Sequence, residues 1–188
     1  MLKKDNLPKL NRKQPGWAFY LFLAIVSMIF FLFVGEPGYV MYADSKTYVN
    51  FLINMEGVMP VYPLFLLGNK LLFGKDMYLY AVVVEQAVIA AACVIIFAAV
   101  IKKQFNLKYW EVCVCYALSL LPFTTDLPAA MTTHVILTEG IAYALFYLFV
   151  VVLLKAVWNK SVKWLGGLCI MTLFLFFFCS QLQILFGV

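Results

Sequence analysis

The sequence has few charged residues. Only 12% of its 188 residues are charged and 65% are hydrophobic, whereas about a quarter of the residues of a soluble domain are charged. A chain with so few charges has too little polar surface for a soluble domain, and its mean hydropathy of +0.96 agrees. The composition therefore excludes the soluble classes and predicts a membrane protein.

Recognisable catalytic and metal-binding motifs are also lacking. The sequence contains no phosphate loop, nucleophile elbow, HExxH helix or dinucleotide fingerprint. The net charge of +5 is spread over short segments between apolar runs, so it gives no reason to expect a nucleic-acid partner. The cysteines lie inside apolar runs without the paired spacing of a zinc or redox site, and we interpret them as packing residues: Cys93, Cys113, Cys115, Cys169 and Cys179.

Long apolar runs are what the sequence has instead. A helix needs about 20 apolar residues to cross the hydrocarbon of a bilayer. The first run is too long for a signal peptide and no cleavage site follows it, so we predict a retained span. The pattern predicts an all-α, polytopic transmembrane protein with about five spans in one membrane domain. The predicted segments of this domain, 1–188, are a cytoplasmic tail (1–16), span 1 (17–34), an outer loop (35–76) and spans 2 to 5 (77–101, 109–122, 135–154 and 165–187).

The basic residues predict the orientation of these spans. The N-terminal tail carries five Lys and Arg, and the loops 102–108 and 155–163 carry three each. Only three basic residues fall on the other side. Because cytoplasmic loops of membrane proteins carry an excess of Lys and Arg, we predict that the N-terminus is inside. Anionic lipid headgroups at the cytoplasmic face are the expected partner of this charge.

The first outer loop is longer than two spans need. Its stretch 44–55 has apolar residues at helical spacing, and residues 64–73 are apolar but too few to span. We predict two juxtamembrane helices that lie on the outer membrane surface. Pro60 and Pro63 restrict the residues before them to extended geometry, so Tyr62 and Pro63 are expected in a rigid turn between these helices.

Asp44 is the first candidate for chemistry, because it is an acid just outside the first span. Such a carboxylate can bind a metal, orient a cation or accept a proton from a hydroxyl. The alternative interpretation is structural: an Asp followed by Ser45 before a helical stretch is typical of a helix cap.

Three further titratable residues are predicted on the same outer side, namely Asp126, His134 and Glu139. His134 and Glu139 are separated by five residues, which on a regular helix offsets them by roughly 140°, so they need not meet. The alternative for these residues is simple solvation at the membrane boundary. Glu85 and Gln86 lie within the second span, where we expect a neutral, hydrogen-bonded Glu85 in helix packing.

The first span is followed by Asp44 in ADSKTY, then by YPLF starting at Tyr62, and later by TE ending at Glu139. This order of motifs resembles the start of the membrane-embedded GT-C glycosyltransferases. The relatives are the protein O-mannosyltransferases and the lipid A aminoarabinose transferases. The resemblance implies a multi-pass protein of the bacterial plasma membrane that transfers a sugar from a polyprenyl-phosphate donor to an acceptor at the outer face.

The resemblance also implies roles for individual residues. Asp44 is the expected catalytic base, and Glu139, less firmly Asp126, helps to bind metal, donor phosphate or acceptor. The phosphate leaving group needs a cation, for which the candidates are Lys46, Lys70 or a divalent metal, Mg or Mn. His134 and Tyr62 complete the candidates for substrate or metal binding.

The resemblance covers nearly all of this chain but only about the first half of a family member. A partner subunit is therefore one expectation. The alternatives are an inactive fragment of a glycosyltransferase and a non-catalytic membrane subunit that binds or transports lipid.

Overall fold

The fold was analysed in a computed structural model, which describes residues 16–34, 38–50, 61–124 and 132–178. Six α-helices make up most of these ranges: α1 (Trp17–Phe33), α2 (Ala43–Val49), α3 (Val61–Phe105), α4 (Tyr109–Leu120), α5 (Glu139–Asn159) and α6 (Val162–Phe178). Two 3₁₀ turns, Leu121–Thr124 and Thr132–His134, stand between α4 and α5. The described ranges contain no β-strand, so the prediction of an all-α fold is confirmed for them.

Helix α3 is a hairpin of two arms. Gly74 has φ 75° and ψ 174°, a conformation outside the helical region that suits a residue without a Cβ. The first arm (residues 61–73) folds back along the second arm (residues 75–105), because Tyr62 Oη donates a hydrogen bond to Gln86 Oε1 at 3.3 Å. Leu66, Val82 and Val83 are buried together between the arms. The apolar stretch predicted as a separate surface helix thus packs against the helix that follows it.

Helices α1, α3, α4, α5 and α6 run along the molecule in alternating directions. The start of α1 lies beside the start of α4, since the rings of Phe19 and Tyr109 have centroids 5.1 Å apart. The far end of α1 meets the 3₁₀ turn that follows α4, with the ring centroids of Phe31 and Phe123 4.9 Å apart. Small residues of the second arm of α3, such as Ala87, Ala90 and Ala98, are buried in the central core between α1, α4 and α5.

A hydrogen-bonded pair ties α1 to α4 inside this core. Tyr116 Oη donates to the carbonyl oxygen of Leu23 at 3.2 Å, and it lies 2.6 Å from Ser27 Oγ. Because the tyrosine proton is used on the carbonyl, Ser27 is the donor in the second bond. Both hydroxyl groups, which are buried, therefore have partners, as groups removed from water require.

One end of the helical bundle collects the tryptophans and most of the lysines of the described ranges. It contains the start of α1, the end of α3, the start of α4, the end of α5 and the start of α6, and we call it the basic end. Phe105 and Trp158 have ring centroids 5.2 Å apart there, and Lys102 Nζ lies 4.8 Å from the centroid of the Tyr109 ring. The four tryptophans at this end are Trp17, Trp110, Trp158 and Trp164.

Two helices, α3 and α5, are long and apolar enough to cross a membrane, by length and composition. Helices α1, α6 and the stretch Tyr109–Thr124 are apolar but shorter. The apolar surface is not hidden by the fold: only 28% of the most apolar window of α5 is buried within the chain. Along α1, the exposed side chains recur at every fourth residue, at Leu21, Ile25 and Ile29.

Candidate functional site

The end of the bundle opposite the basic end is built from two irregular segments that bind each other, and we call it the site end. Val40 N donates to the carbonyl oxygen of His134 at 2.9 Å, and Ile136 N donates back to the carbonyl oxygen of Val40 at 3.0 Å. These bonds form an isolated bridge between Val40 and Val135. The segment that follows α1 and the segment that precedes α5 are therefore joined, although Val40 and Val135 are about 95 residues apart in the sequence.

His134 is an internal anchor in this arrangement. Its side chain is fully buried, and Nε2 lies 2.7 Å from the carbonyl oxygen of Phe31. Since a carbonyl oxygen only accepts hydrogen bonds, Nε2 carries the proton and donates it. Thr132 Oγ1 makes a similar bond to the carbonyl oxygen of Phe123 at 3.1 Å. His134, a sequence candidate for ligand binding, thus uses one ring nitrogen to hold the segment against α1.

Gln86 connects the second arm of α3 to the same segment. Its Nε2 donates to the carbonyl oxygens of Thr133 at 2.8 Å and of Val135 at 3.2 Å, while its Oε1 accepts the bond from Tyr62. The amide group is fully buried, so these three bonds replace the water it has lost. The Gln86 amide therefore holds the backbone carbonyl groups of Thr133 and Val135 and the hydroxyl group of Tyr62 together.

Because Gly140 has no side chain, the Gln86 side chain can occupy the space beside it. A Cβ at this position would lie 2.5 Å from Gln86 Oε1 and 2.8 Å from its Cδ, distances that real Cβ contacts do not show. The absence of a side chain in the first turn of α5 is thus what allows α5 to approach α3 this closely. Glu139, the preceding residue, owes its placement to this contact.

Tyr62 lies in the first turn of α3, so the prediction of a turn between two surface helices at Tyr62 and Pro63 is wrong. Its ring is fully buried and meets the Tyr48 ring edge to face, with centroids 5.3 Å apart. The Gln86 oxygen that accepts the hydrogen bond of the Tyr62 hydroxyl lies against Gly140, the residue after Glu139. Since the ring is closed off from solvent, Tyr62 positions its neighbours in this conformation and does not offer a surface to a ligand.

Asp44 is exposed in the first turn of α2. The helix begins after Tyr42, whose backbone N–H donates to Ser45 Oγ at 3.0 Å. The interpretation of Asp44 as the cap is therefore wrong, because Tyr42 occupies the cap position and Ser45 supplies the side-chain bond. The Asp44 carboxylate makes no hydrogen bond to another residue in the described ranges. It precedes Tyr48 by four residues, so the two lie on the same side of α2.

Glu139 is half-buried at the start of α5. The Thr138 hydroxyl donates to its Oε2 at 3.1 Å. An acid in the first turn of a helix is stabilised by the unpaired backbone N–H groups there. The two acids lie at one end of the molecule, because Tyr48 of α2 packs on Tyr62, Tyr62 bonds to Gln86, and Gln86 lies against Gly140 beside Glu139.

The remaining sequence candidates are placed less centrally. Lys46 is exposed on α2. Lys70 is half-buried on the first arm of α3, with Nζ 5.9 Å from the centroid of the Tyr78 ring. Asp126 lies outside the described residues. Glu85 Oε2 accepts a hydrogen bond from Asn69 Nδ2 at 2.8 Å, so its expected hydrogen bond is present and joins the two arms of α3.

The described donor set does not fit a metal site. Within the ranges that the structure covers, no three His, Cys, Asp or Glu side chains lie close enough together to hold one ion. His134, the single histidine of the sequence, already donates a hydrogen bond from Nε2 to the carbonyl oxygen of Phe31.

No family model, curated protein or solved structure matches this chain. The site is therefore interpreted from its own geometry. Sequence reasoning gave little weight to Gln86 and missed Gly140. A signal for Gln86 was present, because a polar amide inside a span needs partners in the protein, but its partners are backbone groups 47 and 49 residues away along the chain.

Proposed function

We propose that this chain is a multi-pass membrane protein of the bacterial plasma membrane and acts as a module of a polyprenyl-phosphate-dependent glycosyltransferase of the GT-C type. In this proposal the site end faces outward and Asp44 is the catalytic base. The observation that carries the proposal is that Tyr62 packs on Tyr48 of α2 and bonds to Gln86 Oε1, against which Gly140, the neighbour of Glu139, lies. The three motif segments on which the resemblance depends are far apart in sequence and adjacent in space.

The basic end supports the membrane placement and its direction. Tryptophans concentrate at membrane boundaries, and lysines concentrate on the cytoplasmic side. Helix ends that carry Lys102, Lys155 or Lys163 come together with all four tryptophans at this end. A soluble protein would have no reason to expose so many large apolar side chains between this end and the other.

Helix lengths give the depth of the site. Sixteen residues of continuous helix separate Gln86 from Lys102, which corresponds to about 24 Å at a rise of about 1.5 Å per residue. With Lys102 at the inner boundary of a hydrocarbon layer about 30 Å thick, Gln86 and Glu139 lie several ångströms below the outer boundary. A site recessed in this way suits a lipid-linked donor whose phosphate sits at the membrane surface.

The proposed reaction uses Asp44 as a general base. Asp44 takes the proton of an acceptor hydroxyl while the acceptor oxygen forms a bond to the anomeric carbon of the donor sugar. The bond between that carbon and the phosphate oxygen breaks with inversion, and polyprenyl phosphate leaves with the bonding electrons. Exposure of Asp44 allows it to contact an acceptor, whereas burial of Tyr62, Gln86 and His134 gives these residues positioning roles.

Glu139 and the lysines complete the proposed site. Glu139 is half-buried beside Gly140, which lies against Gln86, and its carboxylate can accept hydrogen bonds from sugar hydroxyl groups. The charge of the departing phosphate is balanced by Lys46, which shares α2 with Asp44. The described residues do not assemble three metal ligands, and Asp126, a further candidate, lies outside them.

The proposal is tested by a transfer assay on the 188-residue chain in lipid bilayers. The chain is given a mixture of polyprenyl-phosphate sugars, and free polyprenyl phosphate is measured over time. Release that requires folded protein is expected, and it would also show that a partner subunit is unnecessary. A folded chain that binds these lipids without releasing polyprenyl phosphate would overturn the enzymatic proposal and favour a non-catalytic lipid-binding subunit.

A further inference from the structure

The tip of the α3 hairpin exposes apolar side chains that are bordered by charged residues. Leu71 and Leu72, at the end of the first arm, are each 78% exposed, and Phe73 and Met77 are at least half exposed. If the hairpin projected into water, the four large apolar side chains around Gly74 would be exposed to solvent. Exposed apolar clusters of this kind mark surfaces that contact a partner or a membrane.

The charged residues around the tip are mainly basic. Lys75 is exposed next to Gly74, and Lys70 is half-buried one turn before it, with its Nζ near the Tyr78 ring. The acid beside them is Asp76, which is also exposed. An apolar surface bordered by two lysines is complementary to a bilayer that presents acyl chains beneath anionic headgroups.

The length of the second arm matches this placement. From Gly74 to Lys102 there are 28 residues, or about 42 Å of helix at about 1.5 Å per residue. A bilayer with its headgroup regions is about 40 to 45 Å thick. With Lys102 at the inner boundary of the hydrocarbon layer, which is about 30 Å thick, an upright arm would place Gly74 about 12 Å beyond the outer hydrocarbon boundary. A tilt of about 30°, within the ordinary range for membrane helices, shortens this to about 6 Å, which lies within the outer headgroup layer.

We propose that the hairpin tip, Leu71 to Phe73 with Met77, inserts into the outer headgroup layer of the same bilayer and that Lys70 and Lys75 bind anionic lipid headgroups. This contact fixes the outer end of the first arm. The inner end of that arm carries Tyr62, so the tip sets the depth at which Tyr62 bonds to Gln86. The inference rests on the proposed membrane placement but not on the proposed reaction.

Nitroxide quenching tests the position of the tip. Leu72→Cys is labelled with an environment-sensitive fluorophore in phosphatidylcholine nanodiscs, and the signal of labelled unsubstituted protein is subtracted. Because Leu72 is exposed, the label leaves the fold intact. With the tip in the headgroup layer, nitroxide lipids labelled at the headgroup are expected to lower the emission of the label, because the nitroxide then lies close to it. Full emission with these lipids, together with quenching by a water-soluble nickel chelate, would overturn the proposal.

Two comparisons separate the parts of the inference. A label at Lys103→Cys, on the basic end, reports the membrane placement itself: quenching there but not at Leu72 would overturn the tip proposal alone. Addition of phosphatidylglycerol is expected to increase quenching at Leu72, and the Lys70→Gln/Lys75→Gln variant is expected to lose this increase. An equal increase in both proteins would contradict headgroup binding by the lysines.

Discussion

Replacement of Asp44 with Asn is expected to reduce the release of polyprenyl phosphate by about a hundredfold to ten-thousandfold, the range typical of a lost general base. The amide has nearly the same size and shape as the carboxylate but cannot take the proton of an acceptor hydroxyl. The carboxylate makes no hydrogen bond to another described residue, and the bond that caps α2 comes from Ser45. The substitution should therefore leave the fold unchanged.

The matched control for this variant is Asp76→Asn. Asp76 is also an exposed acid on the same side of the predicted membrane, so its loss changes the net charge equally. Asp76→Asn is expected to release polyprenyl phosphate at the unsubstituted rate. Equal activity of Asp44→Asn and Asp76→Asn would remove Asp44 from the mechanism, while equal loss in both would indicate a general effect of charge.

Replacement of Gln86 with Leu is expected to lower the free energy of unfolding by about 3 kcal/mol. Leucine fills a similar volume, but the carbonyl oxygens of Thr133 and Val135 and the hydroxyl of Tyr62 lose their described bonds to Gln86. Buried polar groups without partners are costly, and these are all buried. Chemical unfolding of the purified protein in bicelles gives the comparison with the unsubstituted chain.

Gly140→Ala tests the same contact from the opposite side. The new Cβ would meet Gln86 at 2.5 Å, so the amide must move and its bonds to the 132–138 segment must weaken. Gly68→Ala is the control, because a Cβ at Gly68 meets nothing within 4 Å; it is expected to be neutral or stabilising by up to about 1 kcal/mol. If Gly140→Ala is as stable as Gly68→Ala, Gln86 does not hold α5 in the proposed way.

The helices could be predicted from the sequence, because an apolar run and the residues that bound it are neighbours along the chain. Apolar runs bounded by Lys, Gly and Pro predict where α1 and α5 lie, and charge asymmetry predicts which helix ends come together. The fold-back of α3 was not predicted. Gly74 indicates that a helix can break, but the direction of the second arm depends on the contact between Tyr62 and Gln86, which are 24 residues apart.

The candidate site was less predictable, since its residues are defined by tertiary contacts. Asp44 and Ser45 both suit a cap in sequence, and only the geometry at Tyr42 assigns that bond to Ser45 and leaves Asp44 exposed. His134 looked like a titratable group near an outer loop, whereas it is buried against α1. A single polar residue in an apolar run predicts that its side chain has a hydrogen-bonding partner, but not which residue that partner is.

Sided labelling tests most directly the central claim that the candidate site lies at the outer face of a membrane. Lys46→Cys marks α2 beside Asp44, and Lys103→Cys marks the basic end; both positions are exposed. A membrane-impermeant maleimide is added to intact bacterial cells and to permeabilised cells, with labelling of the unsubstituted protein subtracted. We predict that Lys46→Cys reacts in intact cells and that Lys103→Cys reacts only after permeabilisation. Reaction of both residues from the same side, or the reverse order, would contradict the account.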